Sequence, residues 1–114
     1  MSEPSDSEWI EHPEARFEFL DALEHYQDVA GDLIAQQLIA ARLSARDLVE
    51  LFPEGLPPYT RVPADPTIRH LGVGKFPYRL IYQPRSGGMW VLAYAHEKRY
   101  PGYWADRLKD APPF

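Results

Sequence analysis

The chain contains no cysteine. This absence excludes disulfide bonds, zinc sites with thiolate ligands and cysteine nucleophiles, and it agrees with a reducing cytosol. No apolar run approaches the roughly 20 residues that a helix needs to cross a bilayer. The first seven residues have neither a basic start nor an apolar stretch, so we expect no secretion signal. The sequence therefore predicts a cytoplasmic protein with no membrane segment, preceded by a polar, disordered lead-in over residues 1–7.

Basic residues are scarce in the first half of the chain. Residues 1–60 contain 13 acidic and 3 basic residues, a net charge of −10, whereas residues 61–114 contain 4 acidic and 9 basic residues, a net charge of +5. The total of −5 argues against nonspecific binding to nucleic acid. The acidic residues of the first half could equally form a solvated helix face. The cations of the second half have few acids beside them, which permits a local anion site.

The acidic half predicts a short strand and two helices. Trp9–His12 is typical of a brief strand, and Pro13 suits the first position of a helix that ends near Gly31. A second helix is expected from about Asp32 to Phe52, with Arg42 among its outward residues. The predicted buried positions are Phe17, Leu20, Leu23 or Glu24, Tyr26 or Gln27, and Ala30 in the first helix, and Ile34, Leu38, Ala41, Ala45, Leu48 and Phe52 in the second.

Prolines and β-forming residues dominate the remainder. Five prolines fall within residues 53–66, which predicts a long loop because neither a helix nor a central strand tolerates them. Strands are expected at Ile68–Val73, Phe76–Gln83 and Met89–His96, with a glycine-containing turn before the last. Side chains alternate between the two faces of a strand, which places Arg79 on the face opposite to that of its neighbours Tyr78 and Leu80. The same alternation puts four residues on one face of the last strand, namely Trp90, Leu92, Tyr94 and His96.

This element order predicts an α+β fold in one domain, residues 1–114. A helical hairpin would pack on one face of a small, mostly antiparallel twisted sheet, because both apolar surfaces need a cover. The other face of the sheet is expected to stay partly exposed. A short C-terminal turn is predicted over Trp104–Lys109, after Pro101-Gly102.

Two motifs in the basic half resemble those of a known family. They are Phe76-Pro-Tyr-Arg-Leu-Ile-Tyr82, and the stretch that runs from Trp90-Val-Leu-Ala through His96 and Arg99 to Pro-Gly-Tyr-Trp104. Together with the helical hairpin and Arg69, they resemble the RelE/ParE superfamily of toxins from type II toxin–antitoxin modules. The resemblance covers about residues 9 to 108. It implies a microbial RNase-like fold, inhibition of bacterial growth, and a cognate antitoxin that neutralises the toxin within a hetero-oligomer.

The superfamily has two modes of action. RelE-like members cleave mRNA on the ribosome without a metal, and ParE-like members poison DNA gyrase. For cleavage, the resemblance assigns a phosphate-binding arginine to Arg79 and a tyrosine near the reacting nucleotide to Tyr103. The expected lysine pair falls near His70 and Gly72, and a further expected arginine falls on Glu97. Phe76-Pro-Tyr in the middle strand and His96-x-x-Arg99 after the last strand look closer to ParE-like members, and this resemblance favours the ParE-like mode. The mRNA endoribonuclease stays open, and the departures also leave open a non-toxic member that only binds a partner.

The candidate site residues follow from these motifs. His96 could supply acid–base chemistry, since the pKa of histidine lies near neutrality. Each candidate also has an ordinary structural interpretation, as a surface cation, an edge charge or a packed aromatic residue. The candidate catalytic residues are Arg79, His96, Lys98, Arg99 and Tyr103. The candidate partner-binding residues are Arg69, Lys75, Arg79, Arg99, Tyr103 and Trp104.

Cofactor sites are not expected. His12, His25 and His70 show no metal-ligand spacing, and Gly72-x-Gly74 is not followed by a helix start, which a phosphate loop requires. The sequence therefore predicts no metal and no cofactor. The expected partners are the antitoxin and either DNA gyrase or the ribosome with its mRNA.

Overall fold

The computed structural model describes residues 8–114, and the predicted lead-in over residues 1–7 lies outside them. The fold is α+β, as the sequence predicts. No helix of the described chain is long and apolar enough to span a membrane. In chain order, the elements are β1 (Glu8–Glu11), α1 (Pro13–Ala30), α2 (Asp32–Leu51), β2 (Arg69–Gly72), β3 (Tyr78–Arg85), β4 (Gly88–His96) and a short 3-10 helix (Ala105–Asp110).

The strands form one mixed sheet in the order β1-β4-β3-β2. The three strands of the basic half pair antiparallel with their neighbours, and β1 lies parallel to β4. β1 accompanies β4 only as far as the pair Glu11 and Val91. The last part of β4 therefore has a partner strand on one side only, and its other side is covered by side chains described below.

Local chemistry sets both ends of α1. Pro13 occupies the first turn, and the Nδ1 atom of His12 accepts a hydrogen bond of 3.0 Å from the backbone N–H of Glu14. The helix ends at Gly31, whose φ of 87° favours glycine, and α2 begins immediately afterwards. The Nε2 atom of His12 also lies 2.8 Å from Asp110, so this cap ties α1 to the C-terminal 3-10 helix.

The prediction of the buried helix residues is confirmed at Leu38 and Ala45 but is wrong for several large side chains. Phe17 and Leu20 are 64% and 49% exposed, and Leu48 and Phe52 are also exposed. The error arises because the predicted stripe followed the large apolar side chains, whereas small residues allow the helices to approach the sheet closely. The buried helix residues are Ala15, Phe19, Ala22, Ala35, Leu38, Ala45 and Val49, with Leu23, Tyr26, Ile34 and Ala41 packed beside them.

Arg42 also departs from the prediction, because it points inward. Its guanidinium donates hydrogen bonds of 2.9 Å to Glu11 and to the hydroxyl of Tyr94. Burial disfavours the ionised carboxylate of Glu11, but hydrogen bonds from Tyr94 and Arg42 outweigh burial and lower the pKa of Glu11. A charged pair therefore joins α2 to the sheet beneath the helices.

A β-bulge changes the predicted faces of β4. Ile81 pairs with Ala93 but Tyr82 pairs with Val91, so Leu92 is the extra residue. Trp90, Leu92 and Ala93 all lie in the cluster on the sheet face away from the helices, while Tyr94 packs beneath the helices. The predicted alternation of β4 is therefore wrong beyond Leu92. The predicted faces of β3 are confirmed, since Leu80 and Tyr82 pack toward the helices and Ile81 packs away from them.

The second face of the sheet is covered, contrary to the prediction. A separate apolar cluster there contains Ile81, Trp90 and Trp104. The proline-rich loop contributes Tyr59, Val62 and Ala64, and the C-terminal segment contributes Tyr103, Leu108 and Ala111. The long loop thus acts as a lid for apolar surface that the helices do not reach. An open cleft remains at the end of the sheet where β3 begins and β4 ends.

We expect the change His12→Ala to lower the free energy of unfolding by about 1–2 kcal/mol, because it removes both the cap of α1 and the contact with Asp110. The measurement is chemical denaturation at neutral pH. His25→Ala is the matched control, because His25 is exposed on the same helix. Equal stability losses in the two variants would show that His12 is not a structural cap.

Candidate functional site

An open cleft of about 160 Å³ lies at the end of the sheet where β3 begins and β4 ends. Four of the five candidate catalytic residues line it, namely Arg79, His96, Arg99 and Tyr103. Strand pairing explains why Arg79 and His96 lie close together, because Tyr78 lies opposite His96 and Arg79 lies opposite Ala95. The loop after β4 then returns across the cleft and brings Arg99 and Tyr103 into its wall. Glu97, Tyr59, Tyr100 and Trp104 also line the cleft.

Arg79 is held by neutral groups and not by a carboxylate. Its Nε atom donates a hydrogen bond of 2.9 Å to Nδ1 of His70, which lies on the neighbouring strand β2. The ring of Tyr59 packs edge-on against His70, and it packs in the same way against Trp104. Burial lowers the pKa of His70, and the charge of Arg79 lowers it further. A neutral His70 thus orients Arg79 and leaves the positive charge of the guanidinium uncompensated by any carboxylate within salt-bridge distance in residues 8–114.

Arg99 lies over the ring of Tyr103. The guanidinium carbon is 3.6 Å from the ring centroid, within the range of a cation–π contact. The side chain of Arg99 is 55% exposed, and its Nη1 atom is 3.6 Å from Glu18. The turn before Tyr103 depends on Gly102, since its φ is 84° and an added Cβ would lie 3.1 Å from Val62. Arg99 is therefore anchored on one side and open to solvent on the other.

The carboxylate of Glu18 organises this side of the cleft. It accepts hydrogen bonds from the hydroxyl of Tyr103 at 2.7 Å, from Arg107 at 2.9 and 3.1 Å, and from the backbone N–H of Tyr94 at 3.1 Å. Arg107 also donates to the carbonyl of Leu92, the bulged residue of β4. We call Glu18, Arg99, Tyr103 and Arg107 the Glu18 cluster. The cluster provides hydrogen-bond partners for the backbone of β4 beyond the point where β1 ends.

The Glu18 cluster limits what Tyr103 can do chemically. Burial raises the pKa of the Tyr103 hydroxyl, and its hydrogen bond to Glu18 raises it further. The hydroxyl therefore stays protonated at neutral pH and points its proton at a carboxylate of the protein itself. Such a group is poorly suited to accept or deliver a proton in the cleft. Tyr103 instead supports Arg99, whose guanidinium lies over its ring.

His96 and Lys98 stand at the rim. The Nδ1 atom of His96 accepts a hydrogen bond of 3.0 Å from the backbone N–H of Lys98, so in the neutral ring the proton is on Nε2. The ring packs edge-on against Tyr78, 4.9 Å away, and borders the cleft on one side and an acidic depression on the other. Lys98 is exposed. Glu97 lies in the cleft with the two arginines, and its charge opposes the approach of the successive phosphates of a nucleic acid.

The candidate partner-binding residues are not all in one place. Arg69 lies on edge strand β2, where it donates to the carbonyl of Leu56, and it lines a different cavity from the cleft. Lys75 is exposed in the turn between β2 and β3. Trp104 is 1% exposed and belongs to the apolar cluster on the second face of the sheet. Trp104 is therefore a core residue and offers a partner almost no surface.

Several residues of the site escaped the sequence reasoning. In the sequence, Glu18 is only one of the acidic residues of the first half, and neither Arg107 nor Tyr59 belongs to the two motifs. Glu18 lies 85 and 89 positions from Tyr103 and Arg107, a separation at which spacing carries no signal. The signal that the sequence does contain is the acidic residue Glu18 directly before Phe19, which lies on the buried side of α1.

Metal binding has no support from the geometry. Within residues 8–114, no group of three or more histidine and acidic side chains could hold a metal ion. The cleft instead presents two guanidinium groups, one carboxylate and aromatic walls. This arrangement can bind an acidic group between Arg79 and Arg99 while aromatic side chains pack beside it.

We expect Glu18→Ala to lower the free energy of unfolding by about 3 kcal/mol, because Arg107 would keep its buried position without a countercharge. Denaturant titration measures the loss. Glu24→Ala on the exposed side of α1 is the control and should change stability by less than about 0.5 kcal/mol. A similar small effect for Glu18→Ala would contradict the role given to the cluster.

The lowered pKa of His70 predicts a pH dependence of stability. The unfolded chain takes up a proton at this histidine near pH 6.5, before the folded protein does, so the unfolded state is favoured as the pH falls below about 6.5. The contribution is complete above that pH and is lost between the unfolded and the folded pKa. We expect His70→Gln, which keeps an acceptor for Arg79, to flatten the fall in stability between about pH 7.5 and 5. Parallel pH profiles for both proteins would contradict the assignment.

Comparison with solved structures gives the fold. No protein-family model matches the chain, and no curated protein matches it. Among solved structures, it is similar to a chain described as "Chromosomal ParDE TA system from P. aeruginosa", with a TM-score of 0.66 and 13% sequence identity. The likeness covers 81% of this chain and 97% of that one. At this identity the likeness establishes a shared α+β fold.

Proposed function

We propose that this chain is the toxin of a type II toxin–antitoxin module, with a ParE-like action on DNA gyrase. The fold likeness to a chain of a ParDE system supports the module, and the two sequence motifs support the toxin role. In this proposal the chain is one domain that acts in the cytoplasm. A cognate antitoxin holds it inactive in a hetero-oligomer.

The observation that carries the choice of gyrase over RNA is the hydrogen bond from Tyr103 to Glu18. RNA cleavage without a metal needs a proton acceptor, a proton donor and a cation around one phosphate. The Tyr103 hydroxyl is committed to Glu18, and Glu97 places a negative charge beside Arg79 and Arg99. A cleft of this kind is better suited to hold an acidic protein segment than to stabilise the transition state of phosphate cleavage.

The same cleft would receive either the target or a segment of the antitoxin. Arg79, Lys98 and Arg99 would face acidic residues of the partner, because opposite charges steer and orient association. Tyr100 is 76% exposed beside them, and it is the aromatic residue that a partner can bury without disturbing the core. Tyr100 thus takes the place that the sequence assigned to Trp104.

The mRNA endoribonuclease stays as the second candidate, because Arg79, Arg99 and His96 do border one cleft. His96 carries a ring proton on Nε2 when neutral and would be its proton donor. A chain that only binds a partner, without toxicity, is the third. The experiment below separates the three.

We expect induction of the wild-type chain in bacteria to arrest growth, and the purified chain to inhibit DNA supercoiling by gyrase. Arg79→Gln and Arg99→Gln should each weaken the inhibition by about tenfold or more, since each removes a charged contact at the centre of the cleft. Arg16→Gln removes the same charge from an exposed position of α1 and should inhibit as the wild type does.

Two results would overturn the gyrase assignment, and a third would overturn the role of the cleft. New transcript ends during growth arrest, lost in His96→Gln, would identify the endoribonuclease. Normal growth at high expression would leave a non-toxic binding protein. Equal inhibition by the wild type and both arginine variants would remove the cleft from the target interface, and circular dichroism would confirm that each variant is folded.

A further inference from the structure

A second cavity, of about 360 Å³, lies at the opposite end of β3 from the cleft. Arg79 and Arg85 are six residues apart on β3, which corresponds to roughly 20 Å of extended strand. The volume falls at the lower end of the range of about 300–1,000 Å³ that is common for small-molecule sites. We call this cavity the arginine pocket, and its polar lining consists of Glu54, Asp65, Thr67, Arg69, Arg85 and Ser86.

Neutral groups of the protein fix the orientation of Arg85. Gln83 is 2% exposed, and its Nε2 atom donates a hydrogen bond of 2.7 Å to the carbonyl of Pro66. The amide oxygen of Gln83 is then directed at Arg85, whose Nε donates to it at 2.7 Å. A buried amide therefore holds Arg85 by one donor, and its two terminal nitrogens form no hydrogen bond to a side chain or carbonyl of the described residues.

Arg69 is held in a similar way. Its Nη1 atom donates to the carbonyl of Leu56 at 2.8 Å, and its Nε atom is buried without a hydrogen-bond partner in the described part of the chain. Neither Arg69 nor Arg85 lies within 4.0 Å of a carboxylate among residues 8–114. Partly buried guanidinium groups without a carboxylate partner are stabilised by an oxyanion that accepts several N–H groups at once.

We propose that the arginine pocket binds a single phosphate group of a small molecule. Arg69 and Arg85 would share its oxygens, and the hydroxyls of Thr67 and Ser86 would donate the remaining hydrogen bonds. Glu54 and Asp65 also line the pocket, and their charges would repel the successive phosphates of a nucleic acid. The ligand is therefore a lone phosphate group and not a polynucleotide. This site is separate from the cleft and goes beyond the toxin function proposed above.

The test is a titration of the ¹⁵N-labelled full chain with inorganic phosphate, with sodium chloride adjusted to hold the ionic strength constant. We expect the amide signals of Thr67, Ser86 and Gly87 to move and to saturate. Arg85→Gln should weaken binding by about tenfold or more, and Arg85→Lys should bind with intermediate affinity because it keeps the charge but loses the planar fork. Arg61→Gln, at an exposed position of the proline-rich loop, should bind like the wild type.

A second variant tests the electrostatic argument without removing an arginine. Asp65→Asn should bind phosphate more tightly than the wild type, because it removes a repelling charge from the lining. Signal changes that never saturate, equal losses in Arg61→Gln and Arg85→Gln, or weaker binding by Asp65→Asn would overturn the proposal. Tighter binding of a single-stranded oligonucleotide than of phosphate, at the same signals, would overturn the restriction to a lone phosphate group.

Discussion

One carboxylate connects α1, the last part of β4 and the C-terminal segment. Glu18 projects from α1 and accepts hydrogen bonds from the hydroxyl of Tyr103, the guanidinium of Arg107 and the backbone of Tyr94. β1 ends too early to pair with the last part of β4, so these backbone groups need side-chain partners. The same interaction that completes the sheet thus also sets the position of Tyr103, and through it the position of Arg99 over the ring.

The order of elements was predictable because proline and glycine residues mark where the helices begin and end. Pro13 and Gly31 delimit α1, and the prolines after Leu51 end α2 and exclude regular structure up to β2. The faces of these elements were less predictable. Ala15 and Ala22 line the contact with the sheet because they let the backbone approach closely, and large neighbours such as Phe17 remain outside. Nothing in the alternation of β4 revealed the bulge at Leu92, which depends on the register with β3.

The site was predictable in its cations and not in what holds them. The motifs named Arg79 and Arg99 as candidate residues, and the cleft contains both. Their supports come from distant parts of the chain: Tyr59 and His70 for Arg79, and Glu18 for the segment that carries Arg99. Sequence spacing describes neighbours on one element, whereas these contacts arise only when the loop and the helix pack on the sheet.

The division of charge along the sequence becomes a division of surfaces in the fold. Arg42 is one of three basic residues in the acidic half, and it forms an internal ion pair with Glu11. The surface of the helices is therefore more negative than their composition suggests. In the basic half, Arg107 is likewise neutralised by Glu18. Four other arginines of the basic half, Arg69, Arg79, Arg85 and Arg99, stand at the two ends of β3, in separate cavities. Since the chain as a whole is acidic, an anionic partner would be repelled at long range and attracted only close to these ends. Recognition by this protein therefore depends on the local geometry of each arginine pair, and a surface with charge but no matching shape would gain little.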